Sequence, residues 1–462
     1  MPNGLCQAPH MFTKITKPIY GALHDKGHLS TAYLDDSLLI GLNERECKKN
    51  VEDTVALFTH LGFKIHNEKS VFQPTQEIEY LGHILNSKQM TIQLTEKRQN
   101  KLLETCDQAL CAKRITIRFL AKLIGLMVSS FMAMPFGKLF YRDLDRQKSL
   151  SLIESKGNWE KFICLNEESI TEINWWIKNI PITITPLQRG NPDLILTTDA
   201  SRSGFGVWVN GESVSGHWKE EEKGRHINYL ELLAAFFALK MFANELEGKH
   251  ILLRIDNSTA IALINKLGTC KSIELHNLCK ELFTWAMDRK LWLTATYVPS
   301  SENEADEPSR RTVYDSEWML NPQLYQMACK ELHYTPDIDL FASRNNCQLH
   351  KFVSFKQDPD AEYIDAFTLN WEELKFWAFP PFNMLLKTCQ KIAADKAEGI
   401  LILPLWKAQP FYSFALRMKI GAGLTFFPRS DRPVLVLPGA PNKTHRMENL
   451  KLAAWRVSGR KL

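Results

Sequence analysis

Along the first 95 residues the hydrophobic period changes several times. "PHMFTKITKPIYGAL" carries helical spacing, whereas "TAYLDDSLLIGL" alternates around two acids and predicts a hairpin centred on Asp35 and Asp36. "NERECKKNVEDTVALFTHLGF" sets Val51, Val55, Phe58 and Leu61 on one helical face and stops at Gly62. "KIHNEKSVF" and "EIEYLGHIL" read as short strands between polar turns. Residues 96–180 are helical in pattern and include the most apolar stretch, "FLAKLIGLMVSSFMAMPFG". Lys122 and Pro135 interrupt that stretch, so the expectation is a buried helix and no membrane span.

A proline- and threonine-rich run, "IPITITPLQRGNPD", then reads as a linker. From Leu194 the pattern runs strand, strand, strand, helix, strand, helix, helix, strand, helix, which predicts one mixed α/β domain ending near Arg311. Within it, Leu230, Leu233, Ala234, Phe237, Ala238 and Met241 mark one packed helical face. After Tyr314 come a helical "PQLYQMACKEL" and the strand-like "DIDLFA", "FWAFPPF" and "GILILPLW". The expected organisation is an α/β multidomain chain: 1–95, a helical 96–180, 190–312, 314–440 and a basic tail at 441–462.

Bulk composition narrows the class. A length of 462 residues has room for about three domains, and 45% hydrophobic with 24% charged residues suits a soluble globular protein. A net charge of +5 does not by itself imply a nucleic-acid partner, although basic residues cluster between Glu96 and Lys148 and again in the tail. Ten scattered cysteines without a CxxC pair point away from a zinc site or a disulfide framework and towards a reducing, intracellular setting. No signal-peptide pattern opens the chain.

Chemistry enters with lone acids in apolar company. Asp199 ends the strand "DLILTTDA", Asp256 ends "HILLRID" just before a helix, Glu231 lies inside the apolar helix "NYLELLAAFFALKMF", and Asp306 starts a short helix in "ENEADEPSRR". A buried glutamate needs a partner or a metal. Carboxylates brought together at a sheet edge suit Mg²⁺, which prefers oxygen ligands and keeps several waters. Two such ions, roughly 3.5–4 Å apart, activate a water and stabilise the leaving oxygen of a phosphodiester. Taken alone, each acid is equally well a turn or boundary residue.

In order and spacing, "TTDASRSGFG", "NYLELLAA", "RIDNSTA" and "ENEADEPSR" resemble ribonuclease H of retrotransposon polyproteins. The resemblance implies that Asp199, Glu231, Asp256 and Asp306 are catalytic metal ligands for two Mg²⁺ ions, and that the substrate is an RNA–DNA hybrid. Two features depart from the family: "YVPSSEN" lacks the histidine of cellular members, and Asn303 to Asp306 is one residue shorter than usual.

With its neighbours, "YLDD" resembles the hairpin of a reverse transcriptase palm, which implies that Asp35 and Asp36 are metal-binding and catalytic. The same resemblance sets Gly4 and Gln7 beside template and nucleotide, Lys69 near the phosphates, and Tyr80 to His83, with Gly82, at the primer end. The family uses a further palm aspartate and a fingers subdomain that precede this segment, so the expectation is a truncated polymerase without independent DNA synthesis. Arg114, Arg118, Lys122 and Lys138 are candidate phosphate contacts or simply solvated helix faces.

Residues 96–150 and the third segment resemble DIRS-type retroelements, in which a region similar to phage adenine methyltransferases follows the nuclease. That resemblance implies a degenerate methyltransferase-like α/β domain, with Asp339 beside the methyl-donor pocket and Phe379, Pro380, Pro381 and Phe382 replacing an Asp/Asn-Pro-Pro-aromatic signature. Phe379 cannot accept a hydrogen bond from a target amino group, so methyl transfer and an S-adenosylmethionine cofactor are not expected. The expected activity is metal-dependent hydrolysis of RNA in hybrids. The alternative is a catalytically inactive nucleic-acid-binding relic.

Overall fold

The computed structural model describes residues 6–311, 317–427, 433–438, 445 and 450–461. The chain forms two compact units, Met1–Gly190 and Asn191–Leu462.

The first unit opens with α1 (Ala8–Asp25), the antiparallel hairpin β1 (Leu29–Tyr33) and β2 (Asp36–Ile40), and α2 (Glu44–His60). Asn43 caps α2 reciprocally. Its Oδ1 accepts from the Glu46 amide at 2.9 Å and its Nδ2 donates to Glu46 Oε1 at 2.8 Å. Buried Asn50 of α2 donates to the carbonyls of Leu29 (2.8 Å) and Ile40 (3.1 Å), tying the base of the hairpin to the helix.

After the hairpin come β3 (Glu77–Tyr80), β4 (His83–Asn86) and β5 (Thr91–Leu94), then α3 (Glu96–Cys111), β6 (Ile115–Thr116), α4 (Ile117–Val128), α5 (Arg142–Glu154), β7 (Phe162–Ile163), α6 (Glu167–Asn179) and β8 (Thr185–Pro186). One antiparallel sheet runs β3-β4-β5-β8, and β6 pairs β7. The helices enclose Leu102, Leu120, Leu123, Met127, Ile173 and Trp176. Gly137 is required there, because a Cβ would stand 2.4 Å from the Trp176 ring. The strand expected over "KIHNEKSVF" is instead a turn around a 3-10 helix at Asn67–Lys69. The Ser70 hydroxyl donates to the His66 carbonyl at 2.9 Å, a local bond that competes with a strand ladder.

The second unit begins with β9 (Leu194–Ala200), β10 (Gly204–Val209), β11 (Glu212–His217), α7 (Ile227–Phe242), β12 (His250–Ile255), α8 (Ser258–Asn265), α9 (Ile273–Asp288), β13 (Trp292–Tyr297) and α10 (Asp306–Ser309). This is the element order that the pattern predicts. The sheet runs β11-β10-β9-β12-β13, with β9, β12 and β13 parallel and β10 antiparallel to both of its neighbours. Helix α7 differs from the expected one-faced helix, because every residue from Leu230 to Leu239 is buried. A helix apolar on all sides belongs inside the protein, and α7 packs on the sheet as well as on α8 and α9.

Beyond it lie β14 (Met319–Leu320), α11 (Pro322–Glu331), β15 (Ile338–Asp339), β16 (Val353–Ser354), β17 (Tyr363–Ile364), β18 (Lys375–Ala378), α12 (Leu385–Ala394), β19 (Glu398–Pro404), α13 (Pro410–Met418), β20 (Leu424–Phe426), β21 (Leu435–Val436) and β22 (Leu452–Ser458). Their main sheet runs β15-β18-β19-β22-β20, parallel from β15 to β19 and antiparallel thereafter. Alternation along β18 and β19 sends Phe376 and Leu401 into one core, and Trp377, Ile400 and Ile402 into another on the opposite face. The continuous apolar run "GILILP" is therefore a strand covered on both sides. The whole chain is a mixed α/β multidomain protein. Among the described residues no helix is long and apolar enough to cross a membrane.

Candidate functional site

In the second unit, sheet register and one helix bring three distant acids together. Ile255 of β12 pairs with Thr198 of β9, so Asp256 and Asp199 are the next residues on adjacent parallel strands. Helix α7 crosses the sheet and delivers Glu231. One carboxylate oxygen from each of Asp199, Glu231 and Asp256 lies within 4.8 Å of the others. Glu231 and Asp199 are each only 4% exposed.

Each acid is held differently. Asn303 Nδ2 donates to Asp199 Oδ1 at 3.2 Å, and the Ser300 hydroxyl donates to Asp256 Oδ2 at 2.8 Å. Glu231 accepts from the Ala200 amide, while its Oε2 is buried with no partner. Burial raises the Glu231 carboxyl to about 9, reinforced by the charges of Asp199, Asp256 and Asp306. Burial also raises Asp199, opposed by a hydrogen bond from Ser309 and reinforced by Asp256 and Asp306.

Asp306 stands apart from the trio. It begins α10, and its Oδ1 pairs with Arg310 Nη2 at 2.6 Å, although its charge still reaches Asp199 and Glu231. Gly206 allows α10 to lie directly on β10. A Cβ there would meet the Ala305 carbonyl at 2.2 Å and the Ser309 amide at 2.7 Å. The sequence pattern did not identify Ser300, Asn303 or Gly206 as parts of this site. Their partners lie tens of residues away, and no local period marks them.

In the first unit the hairpin turns one residue earlier than expected. Tyr33 pairs with Asp36, and Leu34 takes the left-handed conformation at φ 54°, so Asp35 is in the turn and Asp36 opens β2. Both acids are exposed. Tyr80 is near enough to feel Asp36: burial raises its phenol, followed by the charges of Asp36 and Tyr20. Tyr20 in turn hydrogen-bonds the Ser37 hydroxyl on β2. Gly82 has φ +76° and faces Arg98, whose guanidinium donates to the carbonyls of Leu81 and Ser129, each at 2.8 Å. His83 is buried, and burial followed by the Arg98 charge lowers its pKa.

Gln7 is exposed at the N-terminus of α1, Lys69 is exposed at the end of its 3-10 turn, and Gly4 lies outside the described residues. Among the described residues, neither Asp35 nor Asp36 belongs to a cluster of three potential metal ligands. Of the four candidate phosphate contacts, Arg114 and Lys122 are exposed, Lys138 is half-buried, and Arg118 pairs with Glu160 at 2.5 Å.

In the third segment Asp339 is buried, accepting from the amides of Phe341 (3.3 Å) and Gln348 (3.1 Å), and burial pushes its carboxyl to about 7. It pairs with Trp377 on β18, two residues before Phe379. Asp339 and the run Phe379, Pro380, Pro381 and Phe382 therefore share the C-terminal edge of the sheet. Phe379 and Phe382 pack against the cores, and Phe382 meets Trp406 edge-on at 5.2 Å.

Residues 1–85 match the family model described as reverse transcriptase (RNA-dependent DNA polymerase). The N-terminal region is similar to reverse transcriptases. Among solved structures, the foamy viral protease-reverse transcriptase in complex with double-stranded DNA is 17% identical with a TM-score of 0.33, over 65% of this chain and 60% of that one. LC11-RNase H1 in complex with an RNA/DNA hybrid is 20% identical with a TM-score of 0.22, over 25% of this chain and 93% of that one. RNase H1 from the halophilic archaeon Halobacterium salinarum is 19% identical with a TM-score of 0.21, over 25% and 92%. This chain thus spans about 60% of the foamy viral protein. No curated protein matches it.

Proposed function

We propose that this protein is a retroelement reverse transcriptase/ribonuclease H segment of DIRS type, whose trio of acids supports Mg²⁺-dependent hydrolysis of RNA in RNA–DNA hybrids. The observation that carries the reading is Glu231. A carboxylate 4% exposed, with one oxygen unpartnered and two further acids beside it, is unstable as an anion until a cation arrives. The all-oxygen donor set suits a hard divalent ion. Asp199, Glu231 and Asp256 would hold the metal, with Asp306 completing a two-ion site.

Bound there, Mg²⁺ would lower the pKa of a water and stabilise the leaving oxygen of the phosphodiester. The chain's own contribution is positioning. Asn303 and Ser300 orient Asp199 and Asp256, α10 brings Asp306 to the rim, and Glu231 gives up its proton as the site loads. At the hairpin, Asp35 and Asp36 would serve a polymerase site with Tyr80 to His83 at the primer end, and Asp339 with Phe379 to Phe382 would mark a methyltransferase-like remnant.

The pairing of Asp306 with Arg310, outside the trio, favours a second reading in which the protein binds nucleic acid without cleaving it. A labelled hybrid incubated with the full chain separates the two readings. The nuclease cuts only the RNA strand, and loses that activity with chelator or with Asp256→Asn. A folded protein that binds hybrid and cuts neither strand refutes it.

A further inference from the structure

Arg344 lies in the segment after β15, yet most of its partners belong to the nuclease sheet and its connections. It is only 5% exposed. Its guanidinium donates to both oxygens of Glu222, at 2.7 and 3.1 Å, to the His217 carbonyl at 3.3 Å and to Asp360 at 3.2 Å. The same group lies 4.3 Å from the centroid of the Phe237 ring on α7. Asp360 also receives Lys219 at 2.8 Å. A buried guanidinium is costly to desolvate, and only partners on nearly every side make such a position tenable.

Those partners lead back to the acids. Glu222 lies in the connection from β11 to α7 and accepts from the Lys219 amide at 2.7 Å. His217 ends β11, and Trp218 follows it, 1% exposed, against Phe205 (5.4 Å) and Phe237 (6.0 Å). The Trp218 indole donates to the Ser201 carbonyl at 2.8 Å. Ser201 follows Asp199 by two residues. Its hydroxyl accepts from the amides of Ser203 (3.2 Å) and Gly204 (3.1 Å) and donates to the Ser309 carbonyl on α10 at 2.7 Å. A continuous set of contacts therefore joins the third segment to the Asp199 turn and to the helix that carries Asp306.

We propose that Arg344 is a positioning residue for the carboxylate site: its fork fixes the β11–α7 connection, through which Trp218 and Ser201 set Asp199 and α10. The segment from Glu317 onward is then a working part of the nuclease and not an appended module. The functional half of this inference rests on the nuclease reading, while the structural half does not.

The test uses the full chain with Arg344→Met, Arg344→Lys and a control, Arg456→Met, which breaks a 2.6 Å ion pair to Glu398 within the third segment's own sheet. Hydrogen exchange at the Ser203 and Gly204 amides and calorimetric binding of Mn²⁺ are measured without substrate. In Arg344→Met both amides exchange about tenfold faster and Mn²⁺ binds about tenfold more weakly, as expected when support behind ligands is lost. Arg344→Lys, which keeps the charge without the fork, falls between that variant and wild type, and Arg456→Met matches wild type in both readouts. Wild-type exchange at these amides in Arg344→Lys, or equal loosening in Arg456→Met, overturns the inference. A wild-type chain that binds no Mn²⁺ sinks the nuclease reading instead, and the exchange data still decide the role of Arg344.

Discussion

Replacing Glu231 with glutamine isolates the cost of burying an acid beside two others. In the metal-free protein the Glu231 carboxyl is raised from its ordinary 4.5 to about 9, first by burial and then by Asp199 and Asp256. Between those two values the folded state binds a proton that the unfolded state has released. Stability therefore falls as pH rises, by about 1.4 kcal/mol per unit. At pH 7 the penalty is about 3 kcal/mol, it vanishes below pH 4.5, and it levels off above pH 9. A glutamine side chain at this position cannot ionise, yet keeps an oxygen to accept from the Ala200 amide. Glu231→Gln is thus expected to match wild type at pH 4.5 and to exceed it by about 3 kcal/mol at pH 7, without metal. Native-state hydrogen exchange at the α7 amides, corrected for intrinsic rates, reads this locally in a chain with several cores. On the proposed metal-site reading, saturating Mg²⁺ is expected to narrow the gap, because it binds the form with all three acids more tightly. A difference between the two proteins that does not change with pH, or a glutamine variant less stable at every pH, refutes the reasoning.

Two further perturbations test neighbouring contacts. Gly206→Ala places a methyl against the backbone of Ala305 and Ser309, so α10 must shift. The expected loss is about 1–3 kcal/mol, with faster exchange at the amides of residues 306–310, and an unshifted α10 contradicts the close-approach account. Asp36→Asn removes a charge that raises the Tyr80 phenol, and the Tyr80 pKa, followed by NMR of labelled tyrosine, should fall. A Tyr80 titration unmoved by Asp36→Asn shows that the hairpin and the β3 end do not communicate.

What the sequence disclosed depended on whether the signal was local. Asp199 and Asp256 stood out as lone acids in apolar company within an ordered set of motifs, and sheet register then made them neighbours without further instruction. Glu231 was noticed for the same reason, but its burial on a helix with no solvent face was not. Helical spacing marks the residues that meet the sheet, and it says nothing about α8 and α9 covering the other side. Leu34 concealed the position of the hairpin turn, since a leucine at positive φ follows no turn rule and is imposed by the pairing of Tyr33 with Asp36. Ser300 carries no pattern, and Asn303, although it marks the loop before Asp306, gives no sign of its partner, because a hydrogen bond between residues 104 or 44 positions apart is a property of the closed fold. Arg344 is the extreme case. Nothing in "FASRNNCQ" sets it apart, and only the structure shows it buried between two carboxylates and a phenylalanine ring. The clustered acids are thus partly legible from their place in apolar strands and helices. The groups around those acids come from wherever the chain passes, and the hydrogen bonds that surround them run well past Asp256, the last acid of the trio, to Ser309 on α10 and to Arg344 in the segment beyond it.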